Sequence, residues 1–152
     1  MTDKELSYDE TIELLNQLAG QSLLLWDVPS DSKARLINVS ENATYLVEAP
    51  GGFKSILRIH RENYHTRNAI GCEHAWSRAL NEEGGVITPG ILPGRDGSTI
   101  QTNSMEGLPS GRYLVMFEFV EGEEPDQEGD LAPSFEELGE IAARTHNHSI
   151  SW

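Results

Sequence analysis

Residues 34–60 constrain the fold of this chain most, because they read as three short strands joined by two tight turns. The strands are Arg35-Leu36-Ile37-Asn38-Val39, Thr44-Tyr45-Leu46-Val47-Glu48 and a run from Phe53 to His60. The first joint is Ser40-Glu41-Asn42, a small polar turn, and the second is Pro50-Gly51-Gly52, a hairpin turn. A polar turn between twisted antiparallel strands can lie over phosphates, because its backbone N–H groups lack a ladder partner. Side chains alternate along a strand, so Ile56, Arg58 and His60 share one face of the third. Arg58 is therefore a cation on a strand otherwise rich in Ile, Leu and Phe.

The next element carries an acid able to pair with that cation. Residues 67–83 read as a helix in which Ala69, Glu73, Trp76 and Leu80 recur at helical spacing and share a face. Glu73 interrupts a mostly apolar stripe, and a carboxylate facing a core is costly unless paired. The nearest basic candidate on a neighbouring element is Arg58. A strand cation, a helix glutamate and an overlying polar turn suit nucleotide phosphate: the acid fixes the cation and the cation meets the phosphate. From the residues alone, an ion pair that merely holds strand to helix fits equally well.

The rest of the chain is consistent with one compact unit of 152 residues. Ser7-x-x-Glu10 is a capping box that opens an amphipathic helix with Ile12, Leu15 and Leu18 inward, and Gly20 is its expected stop. Leu23, Leu24, Leu25 and Trp26 are expected to pack on the sheet. After the Glu73 helix, Gly84-Gly85 breaks the pattern and residues 89–97 read as a loop. A strand is expected over 98–103 and a strongly apolar, central one over 112–119. The acidic, Gly- and Pro-containing residues 120–132 read as an exposed connector. A second capping box, Ser134-x-x-Glu137, then opens a helix with Phe135, Leu138, Ala142 and Thr145 as its inner stripe.

Charge narrows the partners. A formal net charge of −14 argues against nucleic acid, whose phosphates need clustered Lys and Arg; the excess of Asp and Glu is first explained by solubility, and it could also attract a cationic substrate. The single cysteine excludes an internal disulfide and suits a reducing cytosol. Met1-Thr2-Asp3-Lys4-Glu5 lacks the features of a signal peptide, and no apolar run reaches membrane-spanning length, so a cytoplasmic protein is expected. Cys72 and His74 stand two apart on a helix, as do His146 and His148, and so chelate poorly; no metal site is expected from these residues.

Taken in order, Ser40-Glu41-Asn42-Ala43-Thr44-Tyr45-Leu46-Val47, Ile56-Leu57-Arg58-Ile59-His60-Arg61 and Glu73-His74-Ala75-Trp76 with Arg78-Ala79-Leu80 resemble the aminoglycoside phosphotransferase-like kinase family. Residues Tyr113 to Gly122 resemble that family's interlobe hinge. The likeness runs from about residue 35 to 148. It implies an α+β, kinase-like amino-terminal lobe: a five-stranded antiparallel sheet with a packed αC-type helix, one helix before it and one after the hinge. It also implies a lobe over 1–119, a hinge or linker over 120–132 and the first helix of a second lobe over 133–152.

The implied cofactor is ATP, with GTP left open. Ser40, Asn42 and Thr44 would lie over the phosphates and Arg58 would pair with Glu73. Val47 and Ile56 would flank the adenine. Phe117 precedes the hinge, where the Glu118 carbonyl and Val120 N–H would bond an adenine edge. Many relatives have Lys where Arg58 stands. The family's His-Gly-Asp loop, with an Asn five residues after the Asp, has no counterpart here. Glu128-Gly129-Asp130-Leu131 lacks the His and has Phe135 where the Asn would be. The chain is accordingly expected to be the amino-terminal part of a larger kinase acting on a small-molecule hydroxyl, inactive alone. The acceptor and Mg²⁺ would then be held with the second lobe, and the trailing helix could pair two copies. The alternative is a non-catalytic nucleotide-binding or protein-interaction module with a kinase-like sheet.

Overall fold

The computed structural model describes residues 6–126 and 128–152; Met1–Glu5, where a signal peptide was discounted, lie outside them. Its elements are α1 (Tyr8–Ser22), β1 (Lys33–Val39), β2 (Asn42–Glu48), β3 (Lys54–His60), α2 (Arg67–Glu82), β4 (Ile91–Leu92), β5 (Gln101–Asn103), β6 (Arg112–Glu118) and α3 (Ala132–Ser151). All strand pairings are antiparallel, in the order β1-β2-β3-β6, with β4 and β5 both on the outer edge of β6. β4 pairs with Phe117 and Met116, and β5 with Leu114, Tyr113 and Arg112. The sheet is thus five positions wide, as the sequence implied, but its last position is filled by two short pieces. The first lies in the stretch read as a loop over 89–97.

The chain divides into two compact units. One comprises residues 1–71 and 91–119; the other comprises 72–90 and 120–152. In the first, α1 covers one face of the sheet. Leu18, Ala19, Leu23 and Trp26 pack with Tyr45, Val47, Leu57, Ile59, Leu114 and Met116. The Trp26 indole donates to the Leu92 carbonyl at 3.1 Å, so the short β4 piece also anchors this core. A second cluster, Ile70, Ile100, Val115 and Phe117 with Ile56, lies on the other face. Arg67 adds hydrogen bonds to the Ile100 carbonyl and the Ser98 hydroxyl, which tie the first turn of α2 to this unit.

Local chemistry moved several expected boundaries. The Ser7 capping box forms as read, but α1 runs through Gly20 to Ser22. The buried Ser22 hydroxyl donates to the Leu18 carbonyl and accepts from the Asn103 amide, so tertiary contacts outweigh the weak glycine stop. Leu24 faces solvent because the short 3₁₀ turn over Leu23–Leu25 points it away from the sheet. In α2 the buried positions are Ile70, His74, Ala79 and Leu80, whereas Ala69 and Glu73 are exposed. The buried stripe is thus rotated by about one residue from the expected one, which places the carboxylate at the surface.

In the second unit, α3 begins at Ala132 rather than at a Ser134 cap. Asp130 Oδ1 accepts from the Ala132 N–H at 3.0 Å, and Pro133 sits in the first turn, where its missing N–H costs nothing. No residue of α3 is buried, and Phe135 and Leu138 of the expected inner stripe are exposed. No helix among the described residues is long and apolar enough to cross a membrane.

Two stability outcomes follow from the α1 core. Leu57, fully buried at the centre of the sheet, should lose about 2–5 kcal/mol on Leu57→Ala, measurable by urea denaturation. Burial raises the Tyr45 phenol above its ordinary value, and its hydroxyl donates to Asn16 Oδ1 at 3.1 Å. A raised folded-state value means that this contribution is complete below the unfolded value of about 10 and is lost as pH rises above it. Stability should therefore decline from about pH 10 upward, and Tyr45→Phe should flatten that decline while costing about 1 kcal/mol at neutral pH.

Candidate functional site

The β1–β2 turn, β3 and β6 belong to one unit, and their register brings most of the candidate residues together. Thr44 lies directly across from Arg58, and Arg58 across from Val115. Ile56 lies between Leu46 on one side and Phe117 on the other. Alternation puts Ser55, Leu57 and Ile59 on the α1 face, leaving Ile56 and Arg58 on the opposite one. There the Arg58 guanidinium carbon stands 4.8 Å from the centroid of the Phe117 ring, in cation–π range. Lys54, on the same face of β3, places its ammonium 4.9 Å from the Phe119 ring. Two cations therefore flank Ile56 along this strand.

The polar turn is more fully engaged than its sequence suggested. The Ser40 N–H donates to the Asn42 carbonyl at 3.1 Å, so this backbone donor has a partner within the turn. Asn42 Oδ1 accepts the Arg61 N–H at 3.2 Å, which ties the turn to the end of β3. The Glu41 carboxyl is held below its usual range by its own backbone N–H, the Ser40 hydroxyl and the nearby Arg61 charge. A groove of about 590 Å³ runs beside this turn, lined among others by Ser40, Glu41, Asn42, Arg61 and Arg112. Arg112 is buried and bound to Glu62 at 3.0 Å, so its charge is already compensated.

Val47 is a correction to the expected site. It is fully buried on the α1 face, opposite Ser55, and packs with Tyr45 and Leu57. Leu46, opposite Ile56, is the apolar β2 side chain on the Arg58 face. The miss has a simple source: both faces of β2 carry apolar residues, so alternation alone did not say which set faces α1. Counting across the Pro50-Gly51-Gly52 hairpin would have found it, because Glu48 opposite Lys54 puts Leu46 opposite Ile56. Lys54 was missed although it has the same parity as Arg58, and Arg61 because it lies beyond the strand.

Phe117 is buried in the second apolar cluster, and Glu118 is the exposed last residue of β6. Glu73 and Val120 belong to the other unit, and both are exposed. Among the described residues no group of three or more His, Cys, Asp or Glu side chains could hold a metal ion, so no metal ligand is assigned.

Comparison with known proteins bears on this arrangement. No curated protein matches the chain. Among solved structures, a microcompartment-associated aminopropanol kinase is 42% identical, with a TM-score of 0.76, over 90% of this chain and 41% of that one. An amicoumacin kinase, solved in complex with AMP-PNP, Ca²⁺ and Ami, shares the fold at 20% identity and a TM-score of 0.72, over 95% of this chain and 41% of that one. This chain thus spans about two fifths of the length of either structure. The model of the phosphotransferase enzyme family matches residues 33–151, from the first residue of β1 to the last of α3. The chain belongs to that family of aminoglycoside-phosphotransferase-like small-molecule kinases, and its fold is that of a kinase amino-terminal lobe.

Proposed function

We propose that this chain is the nucleotide-binding part of an ATP-dependent kinase that phosphorylates a hydroxyl of a small molecule. The observation that carries this reading is the position of Arg58. It stands across from Thr44, near a tight polar turn, with its guanidinium over Phe117 and Ile56 on the same face. An arginine there offers a planar fork to phosphate oxygens, and the adjoining Ile56 and Leu46 offer apolar surface to a base. In this reading Glu73 pairs with Arg58, the Ser40–Thr44 turn covers the phosphates, and the Glu118 carbonyl and Val120 N–H bond the adenine edge. Mg²⁺, when bound with the nucleotide, would neutralise charge on the phosphates.

The acceptor is proposed to be a small cationic alcohol. One similar structure is an aminopropanol kinase, and the net charge of −14 favours encounter with a cation. In this reading the group that orients the acceptor hydroxyl comes from a second lobe.

An NMR titration with ATP and Mg²⁺ tests the nucleotide site. Shifts should cluster at the amides of residues 40–44 and 118–120 and saturate near a millimolar Kd, since a half-built pocket buries little of its ligand. Arg58→Ala should abolish them. Saturating shifts elsewhere, with these amides silent, would remove the site.

Purified residues 1–152 should not transfer phosphate from ATP to any small alcohol, because phosphoryl transfer needs a positioned metal and a residue to orient the hydroxyl. Turnover that is lost on Glu73→Ala would show that the chemistry resides in this chain.

A further inference from the structure

Helix α2 ends in a clasp made by α3, and all of its members lie in the unit that also contains Glu73. After Glu82 the chain turns through Gly84 and Gly85, and the Val86 N–H returns to the Leu80 carbonyl at 3.1 Å. Gly85 has φ 63°, a conformation that favours glycine. A Cβ on Gly84 would lie 2.9 Å from the Leu80 carbonyl oxygen and 3.3 Å from His148 Cδ2, so α3 approaches closely there. The segment beyond folds back along α2, with the Thr88 hydroxyl donating to the Ser77 carbonyl at 2.8 Å and the Asn81 amide to the Thr88 carbonyl at 3.1 Å.

Two α3 side chains four residues apart, hence on one face, grip this turn. Arg144 Nη1 donates to the Gly85 carbonyl at 2.9 Å, and the same guanidinium is braced by Glu140 one turn earlier. His148 Nε2 lies 3.5 Å from Glu83 Oε2, with its side chain only 9% exposed. Apart from the covered His148 ring, α3 is largely exposed, so directional polar contacts carry much of this attachment. Such contacts fix a helix end in rotation and register, because a hydrogen bond is lost on small misalignment. The cationic guanidinium also complements the negative end of the α2 dipole.

We propose that Arg144 and His148 are positioning residues: by clasping the Glu83–Gly85 turn they set the orientation of α2, and so of Glu73, for nucleotide binding. This rests on the reading of Arg58 and Glu73 given above. A purely structural clasp would change the stability of α3 and leave nucleotide affinity alone.

AMP-PNP with Mg²⁺ is titrated into the 152-residue chain and the amides of residues 40–44 are followed by NMR. Arg144→Ala should weaken binding about fivefold, the weight of one ordinary hydrogen bond, and Arg144→Lys should recover part of the loss. In a Glu73→Gln background the same substitution should have no further effect, because the clasp acts through Glu73. Glu83→Gln, at an exposed position, probes the His148 contact without altering α3 and should weaken binding about twofold. The proposal is overturned if the parent chain binds but Arg144→Ala and Glu83→Gln both leave the Kd unchanged. It is equally overturned if the Arg144→Ala loss is as large in the Glu73→Gln background as in the parent chain. A parent chain that binds no AMP-PNP overturns the nucleotide reading itself and the positioning role with it, a result distinct from failure of the clasp alone.

Discussion

The packing of α1 against one face of β3 decides what the other face is free to do. Leu57 and Ile59 must meet Leu18 and Tyr45, since they belong to the larger of the two apolar clusters among the described residues. Their alternation partners Ile56 and Arg58 are thereby committed to the opposite face, where Phe117 stands beside them. A one-residue slip of β3 would bury the guanidinium against α1 and expose Leu57, an exchange of a buried apolar side chain for a buried charge. The register that stabilises the fold is therefore the same register that presents the cation.

The turn preceding β2 illustrates a related economy. A floppy turn must be ordered at the moment it engages anything, which costs entropy. Here Ser40, Glu41 and Asn42 are held by one another and by Arg61. Part of the turn's donor capacity is thus used within the turn itself. An arginine at position 58 offers a wider, more weakly hydrated fork than the compact charge of a lysine, and its guanidinium stands against the Phe117 ring.

The amino-acid sequence by itself determined the strand and helix identities over 33–82, the Ser7 capping box and the parity that sets Arg58 apart from Leu57. These depend on periodicity and on short connections, both of which are local. The resemblance of Ile56–Arg61, Glu73–Leu80 and Tyr113–Gly122 to small-molecule kinases was legible for the same reason, since each motif lies within one element or one turn.

Tertiary structure decided the remainder. It placed Val47 on the α1 side and Leu46 beside Ile56, because both faces of β2 are apolar and only pairing across the hairpin distinguishes them. It carried α1 past Gly20, through a buried Ser22 whose partners lie at Leu18 and Asn103. It turned Glu73 to the surface and Ile70 inward, and it filled the outer edge of β6 with two separate short strands. It brought Arg144 and His148 of α3 onto the Glu83–Gly85 turn, about sixty residues away in the chain. None of these follows from a local pattern, because each depends on which distant surface a side chain meets when the elements pack.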